Sequence, residues 1–182
     1  MSTEKWEVLG SIVTIENPWM KLIGERLLDE EGRELDYWRI DRADSIIIIP
    51  IQSNDIVLPR RFYRPGIQEL SYDFPGGRLE KGLSASEAAL RILTRELDID
   101  RPEVESLAPL CENGWAVDSS FSSQRVFPFR AYIKAEVSFS PKTIGIREPV
   151  NQAGVKRILD KLSCLQCRCT LLEWMRSMDD SL

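Results

Sequence analysis

The sequence predicts an α/β fold in which helices cover both faces of a β-sheet, preceded by a separate group of strands. Three observations carry this reading. Taken together, residues 6–15, 20–28, 34–41, 45–51 and 55–63 are rich in β-branched and aromatic side chains, as strands are. The run Ile46-Ile47-Ile48-Ile49 has no polar alternation, which marks a strand covered from both sides. Ala85, Ala88, Ala89, Ile92, Leu93 and Leu97 then recur at spacings of three and four, the apolar stripe of an amphipathic helix.

Taken in order, the first strands are separated by Asn17-Pro18, Glu31-Gly32 and Ser53-Asn54-Asp55, all turn chemistry. The helix begins after Ser84, which with Glu87 forms an S-x-x-E capping box. Strands follow over 105–111 and 125–135, then a Pro-containing loop over 138–152, then helices over 155–162 and 164–178. There is no internal repeat and no Gly/Ser linker. The one boundary falls near Arg42, dividing a strand subdomain, 1–42, from the main domain, 43–182.

Composition excludes several chemistries. The 182 residues, 43% hydrophobic and 29% charged, suit one globular core. With no histidine, Ser-His-Asp and Cys-His catalysis and His-ligated zinc are impossible. Twenty-four basic against 29 acidic residues give a net charge of -5, which argues against a nucleic-acid partner. The longest apolar run, 46–51, is far below the roughly 20 residues that span a bilayer, and the first residues carry no apolar leader, so no membrane partner and a cytoplasmic location are expected. Cys164, Cys167 and Cys169 form C-x2-C-x-C, which with Cys111 could hold a metal. They lie in an apolar, helix-like run without the Gly turns of zinc knuckles, and reduced, partly buried thiols are the expectation.

The informative segment runs from Phe74-Pro75-Gly76-Gly77 through the capped helix to Ile99. A Gly-Gly turn leaving a strand, a short acidic loop and one helical face bring backbone and side chains close to a ligand such as a diphosphate. Here the chain resembles the Nudix family, whose box reads G-x5-E-x7-R-E-U-x-E-E-x-G-U. Asn17-Pro18-Trp19-Met20, Asp36-Tyr37-Trp38-Arg39-Ile40, Tyr63-Arg64 and the Pro-Gly-Gly approach resemble its ADP-ribose pyrophosphatase branch. The resemblance, over about residues 6–135, implies an α/β/α sandwich around a mixed sheet, an N-terminal antiparallel strand subdomain that supports a homodimer, and a nucleoside diphosphate-linked small molecule as partner.

With Gly77 on the first box glycine, Arg91, Leu93, Glu96 and Ile99 match, whereas Leu83, Ile92 and Arg95 stand at acidic positions and Asp98 at the last glycine. A second register, Glu87-x7-Arg95-Glu96, would put the box glycine on Lys81 and strand the Pro-Gly-Gly turn. The resemblance implies Glu96 as catalytic residue and, with the Gly76 carbonyl, as ligand of Mg2+ or Mn2+. It also implies Arg64, Arg61, Tyr63, Gly76, Gly77, Glu80 and Arg91 at the substrate. A hard divalent ion wants several anionic oxygens. One carboxylate beside a guanidinium should hold it poorly, so the expectation is a nucleotide-sugar pyrophosphohydrolase with weak or absent turnover. The alternative is a non-catalytic nucleotide-sugar binding or regulatory protein. Two further loops offer little: 138–152 has only Glu148, and 118–124 matches the corresponding loop of the family in neither its glycine nor its acidic position.

Overall fold

A computed structural model describes residues 5–179, which cluster into two compact units. One contains the residues up to Asp44 together with Ala116–Arg125; the other contains Ser45–Trp115 and the chain from Val126 onward.

In the first unit, β1 (Glu7–Asn17), β2 (Met20–Leu28) and β3 (Glu34–Asp41) make an antiparallel sheet in the order β1-β2-β3. The β1–β2 turn is tied by Asn17, whose Oδ1 accepts the amides of Trp19 and Met20 at 2.8 and 3.1 Å. Asp29 closes the β2–β3 turn by accepting the Glu31 and Arg33 amides and pairing with the Arg33 guanidinium at 2.7 Å. These contacts, the Arg33 amide foremost, hold its carboxyl below the usual range against the opposing effect of burial.

The second unit holds a mixed sheet. Its strands are β4 (Ser45–Gln52), β5 (Asp55–Pro59), β8 (Gly76–Arg78), β9 (Val104–Pro109), β10 (Trp115–Ala116), β11 (Arg125–Ile133) and β12 (Ile144–Pro149). The path is β10-β11-β4-β5-β12, with β8 also on β4 and β9 on β11. β11 and β4 run parallel, while the other registered pairs are antiparallel. A separate two-stranded ribbon joins β6 (Phe62–Arg64) and β7 (Glu69–Ser71).

Both faces of β4 are covered, as the unbroken isoleucine run requires. Ile46 and Ile48 pack with Ala88, Ala89, Ile92, Leu93 and Leu97 of α1 (Ala85–Leu97). On the same strand Ile47 and Ile49 are also buried, and α3 (Leu165–Asp179) packs on it as well. The α1 capping box is formed: Ser84 Oγ accepts the Glu87 amide, and the Glu87 carboxylate accepts the Ser84 amide at 2.9 Å. The helix between them in the chain, α2 (Gln152–Leu159), is capped by Asn151.

The sequence reading needs three local corrections. The segment 55–63 is broken: β5 ends at Pro59, which has no amide to donate, the Arg60 amide carries the β5–β12 register one residue further by donating to the Thr143 carbonyl at 2.9 Å, and β6 starts only at Phe62. The expected loop 138–152 contains β12, whose pairing with β5 supplies the order that its Gly and Pro content disguises. Gly76 and Gly77, expected as a turn, form β8 on β4, with Ile47 opposite Gly76. Gly is required there because a Cβ on Gly76 would stand 2.9 Å from the Ile46 carbonyl oxygen.

Candidate functional site

Two elements meet where the box motif predicts chemistry: β8 and the last turns of α1. The Glu96 carboxylate, 19% exposed, accepts the Gly76 amide on Oε2 at 3.3 Å. Its Oε1 lies 2.6 Å from Nη2 of Arg95. The same Nη2 donates to the Gly76 carbonyl oxygen at 2.9 Å. Gly76 and Glu96 are therefore brought together as expected from the sequence, and one guanidinium nitrogen bridges them. Gly77 allows this approach, since a Cβ on it would stand 2.9 Å from Arg95 Nη2.

Ile92, one turn before Glu96, is 2% exposed and belongs to the core cluster; Leu83 packs against the same cluster. Asp98 ends α1 in the left-handed region at φ 57°, where glycine is the usual occupant.

The remaining residues discussed from the sequence engage partners of their own or stand exposed. Glu80 and Arg91 pair with each other at 3.2 Å, both exposed. Arg60 donates to the Pro141 carbonyl, Arg61 stacks over Tyr72 at 5.7 Å, and Tyr63 is exposed on β6. Arg64 contacts the Phe62 ring and pairs through Nε with Asp73 Oδ2 at 2.6 Å. Glu148 is held by Arg157 at 2.6 Å, and Asp118 turns its own loop by accepting the Ser120 and Phe121 amides.

Sequence reasoning missed Asp73. Its carboxylate lies with the thiols of Cys164 and Cys167, all three ligand atoms within 4.8 Å of one another. Burial pushes the Asp73 carboxyl up, opposed by Arg64. The Cys167 side chain, by hydrogen bonding, pulls the Cys164 thiol down to about 6, while Cys167 itself is pushed up by that neighbour and by burial. Cys111 and Cys169 are free thiols outside this group.

Comparison with known proteins follows the same lines. The family model described as NUDIX domain matches residues 41–143. No curated protein matches the sequence. Among solved structures, one described as the crystal structure of an ADP compounds hydrolase superposes with a TM-score of 0.78. That alignment covers 100% of this chain and 98% of the other at 19% identity, which shows a shared fold. Among the described residues no helix is long and apolar enough to cross a membrane.

Proposed function

The chain belongs to the Nudix family, and from that premise we propose that it binds a nucleoside diphosphate-linked small molecule and hydrolyses it weakly or not at all. The observation that carries this reading is Arg95 Nη2 on both the Gly76 carbonyl and the Glu96 carboxylate. Mg2+ or Mn2+, the ions the family implies, take about six oxygen ligands, several of them commonly from water and substrate phosphate, and are held by anionic or neutral oxygens with no cation between them. At this place the chain offers one carboxylate and one carbonyl, already joined by a fixed positive charge, and these do not fit such an ion. The left-handed Asp98 supports the register that puts Leu83, Ile92 and Arg95 at the acidic positions.

The ligand side is better provided. Arg64, oriented by Asp73, and Arg61, stacked on Tyr72, supply guanidinium groups of the kind that suit diphosphate oxygens. Exposed Tyr63 offers a ring for a base, the amide-rich β8 approach includes Gly76 and Gly77, and Glu80 with Arg91 lines the loop before α1. Because the solved neighbour is described as a hydrolase of ADP compounds, ADP-ribose, ADP-glucose and NADH are the first ligands to try, with GDP-mannose for contrast. Calorimetry should detect binding of at least one. Turnover with Mg2+ or Mn2+ should stay at least a thousandfold under the roughly 1–10³ s⁻¹ of ordinary enzymes. Rapid hydrolysis abolished by Glu96→Gln would reinstate the hydrolase reading.

A homodimer through the N-terminal sheet belongs to the same proposal. Val8, Ile15 and Trp19 are 56%, 54% and 73% exposed, with Leu9, Ile12 and Trp38 also open, an apolar display that a monomer seldom tolerates. Sedimentation should give a dimer that Ile12→Glu converts to monomer; a monomeric unmodified protein at tens of micromolar would remove this part.

A further inference from the structure

We propose that Asp73, Cys164 and Cys167 form a binding site for one soft divalent cation, Zn2+ being the member that fits. The three come from distant parts of the sequence and are held together by the backbone. Tyr72 and Leu162 form a parallel bridge, which sets Asp73 beside the start of α3. Cys164 precedes that helix, and Cys167, 2% exposed, lies on its first turn. Their ligand atoms are mutually within 4.8 Å. With Zn–S of about 2.3 Å and Zn–O of about 2.0–2.2 Å, tetrahedral ligands stand about 3.5–3.8 Å apart, so at most a small closure is needed.

The surroundings support metal-bound thiolates. Cys164 Sγ accepts the Gln166 and Cys167 amides, and Cys167 Sγ accepts the Phe74 amide, contacts of the kind that stabilise sulfur anions and fix ligand direction. Arg64 takes Oδ2 of Asp73, while Oδ1 is fully buried and has no hydrogen-bond partner among the described residues. A buried carboxylate oxygen left without a donor is costly, and a cation satisfies it. Two sulfurs and one oxygen select a borderline-soft ion over Mg2+ or Ca2+, with water completing the tetrahedron. The C-x2-C pair singled out in the sequence thus finds its third ligand in Asp73, outside the cysteine set. The ion would clamp α3 to the segment that leads into Gly76.

The test uses the full chain, reduced and freed of metal by a chelator that is then removed. Titration with Zn2+ alone should show one equivalent bound and a raised Tm. Co2+ should give a thiolate-to-cobalt charge-transfer band with the visible bands of a tetrahedral ion. Cys164→Ser, at a partly exposed position, and near-isosteric Asp73→Asn should each weaken Zn2+ at least tenfold, with circular dichroism confirming the fold, whereas Cys111→Ser and Cys169→Ser should leave it unchanged. The proposal is overturned by absence of stoichiometric Zn2+, by affinity indifferent to both ligand variants, or by a cobalt spectrum without sulfur ligation. Because none of these readouts involves nucleotide, failure here leaves the nucleotide-binding reading standing, and the reverse holds.

Discussion

Arg95→Glu is expected to tighten Mn2+ binding at the Gly76–Glu96 place by about one to two orders of magnitude. The native guanidinium nitrogen lies 2.6 Å from Glu96 Oε1 and 2.9 Å from the Gly76 carbonyl, so it takes up both oxygens a divalent ion would use and repels that ion as well. Two unit charges 4 Å apart interact by about 4 kcal/mol at an effective dielectric of 20. Arg95 is 56% exposed, which screens most of that. Removing the cation and adding an anion should then each contribute about 1–1.5 kcal/mol, or roughly tenfold. Arg95→Gln separates the two steps and should capture about half of the gain. The exchange is mild for the helix, since Glu and Arg have similar propensities and the anion near the C-terminus costs only about 0.3–1 kcal/mol. Mn2+ is a fair probe because it prefers oxygen, which keeps the Cys164–Cys167 thiols out of the signal. Unchanged Mn2+ affinity in both variants, read by electron paramagnetic resonance, would show that the guanidinium is not what blocks the ion.

How much of this was legible in the sequence depends on how local the cause is. β2, β3 and α1 are readable because turn residues at the strand ends, three-four spacing and a capping box are written within a dozen residues. β4 is readable because four consecutive isoleucines admit no solvent-facing side. β12 was not, because Gly145 and Pro149 punctuate it like a loop while its order comes from β5, some ninety residues earlier. β8 is the same case in miniature, since two glycines have no preference for a strand until β4 provides a ladder. At the site, Glu96 and Gly76 follow from motif spacing, and the nearness of Arg95 to Glu96 follows from adjacency. The bridge to the Gly76 carbonyl does not, because it depends on where β8 is held against α1. Asp73 is the extreme: nothing in the order of residues couples it to Cys164 until Tyr72 and Leu162 form their bridge.

Gly154→Ala should lower stability by about 2–3 kcal/mol, although the substitution adds one methyl and improves helix propensity. Gly154 is buried in the first turn of α2, where its amide donates to Asn151 Oδ1 at 2.9 Å. A Cβ there would overlap the Pro149 carbonyl oxygen and stand 3.0 Å from the Pro149 nitrogen and 3.1 Å from its carbonyl carbon. All three are backbone atoms of the last residue of β12, which is paired with Asp55 of β5 and has no rotamer through which to yield. The helix must therefore move outward, which loosens the packing of buried Val155 and Ile158 that anchors it. For a domain of this size about 2–4 °C of Tm is lost per kcal/mol, so thermal unfolding should fall by roughly 5–10 °C. Gly66→Ala provides the contrast: a Cβ there meets nothing within 4 Å, and its effect should stay within about 0.5 kcal/mol. Equal melting temperatures for the two variants would mean that α2 does not rest on β12 in solution. A large loss confined to Gly154 would show that close backbone approach, invisible to composition and periodicity, fixes this helix in place.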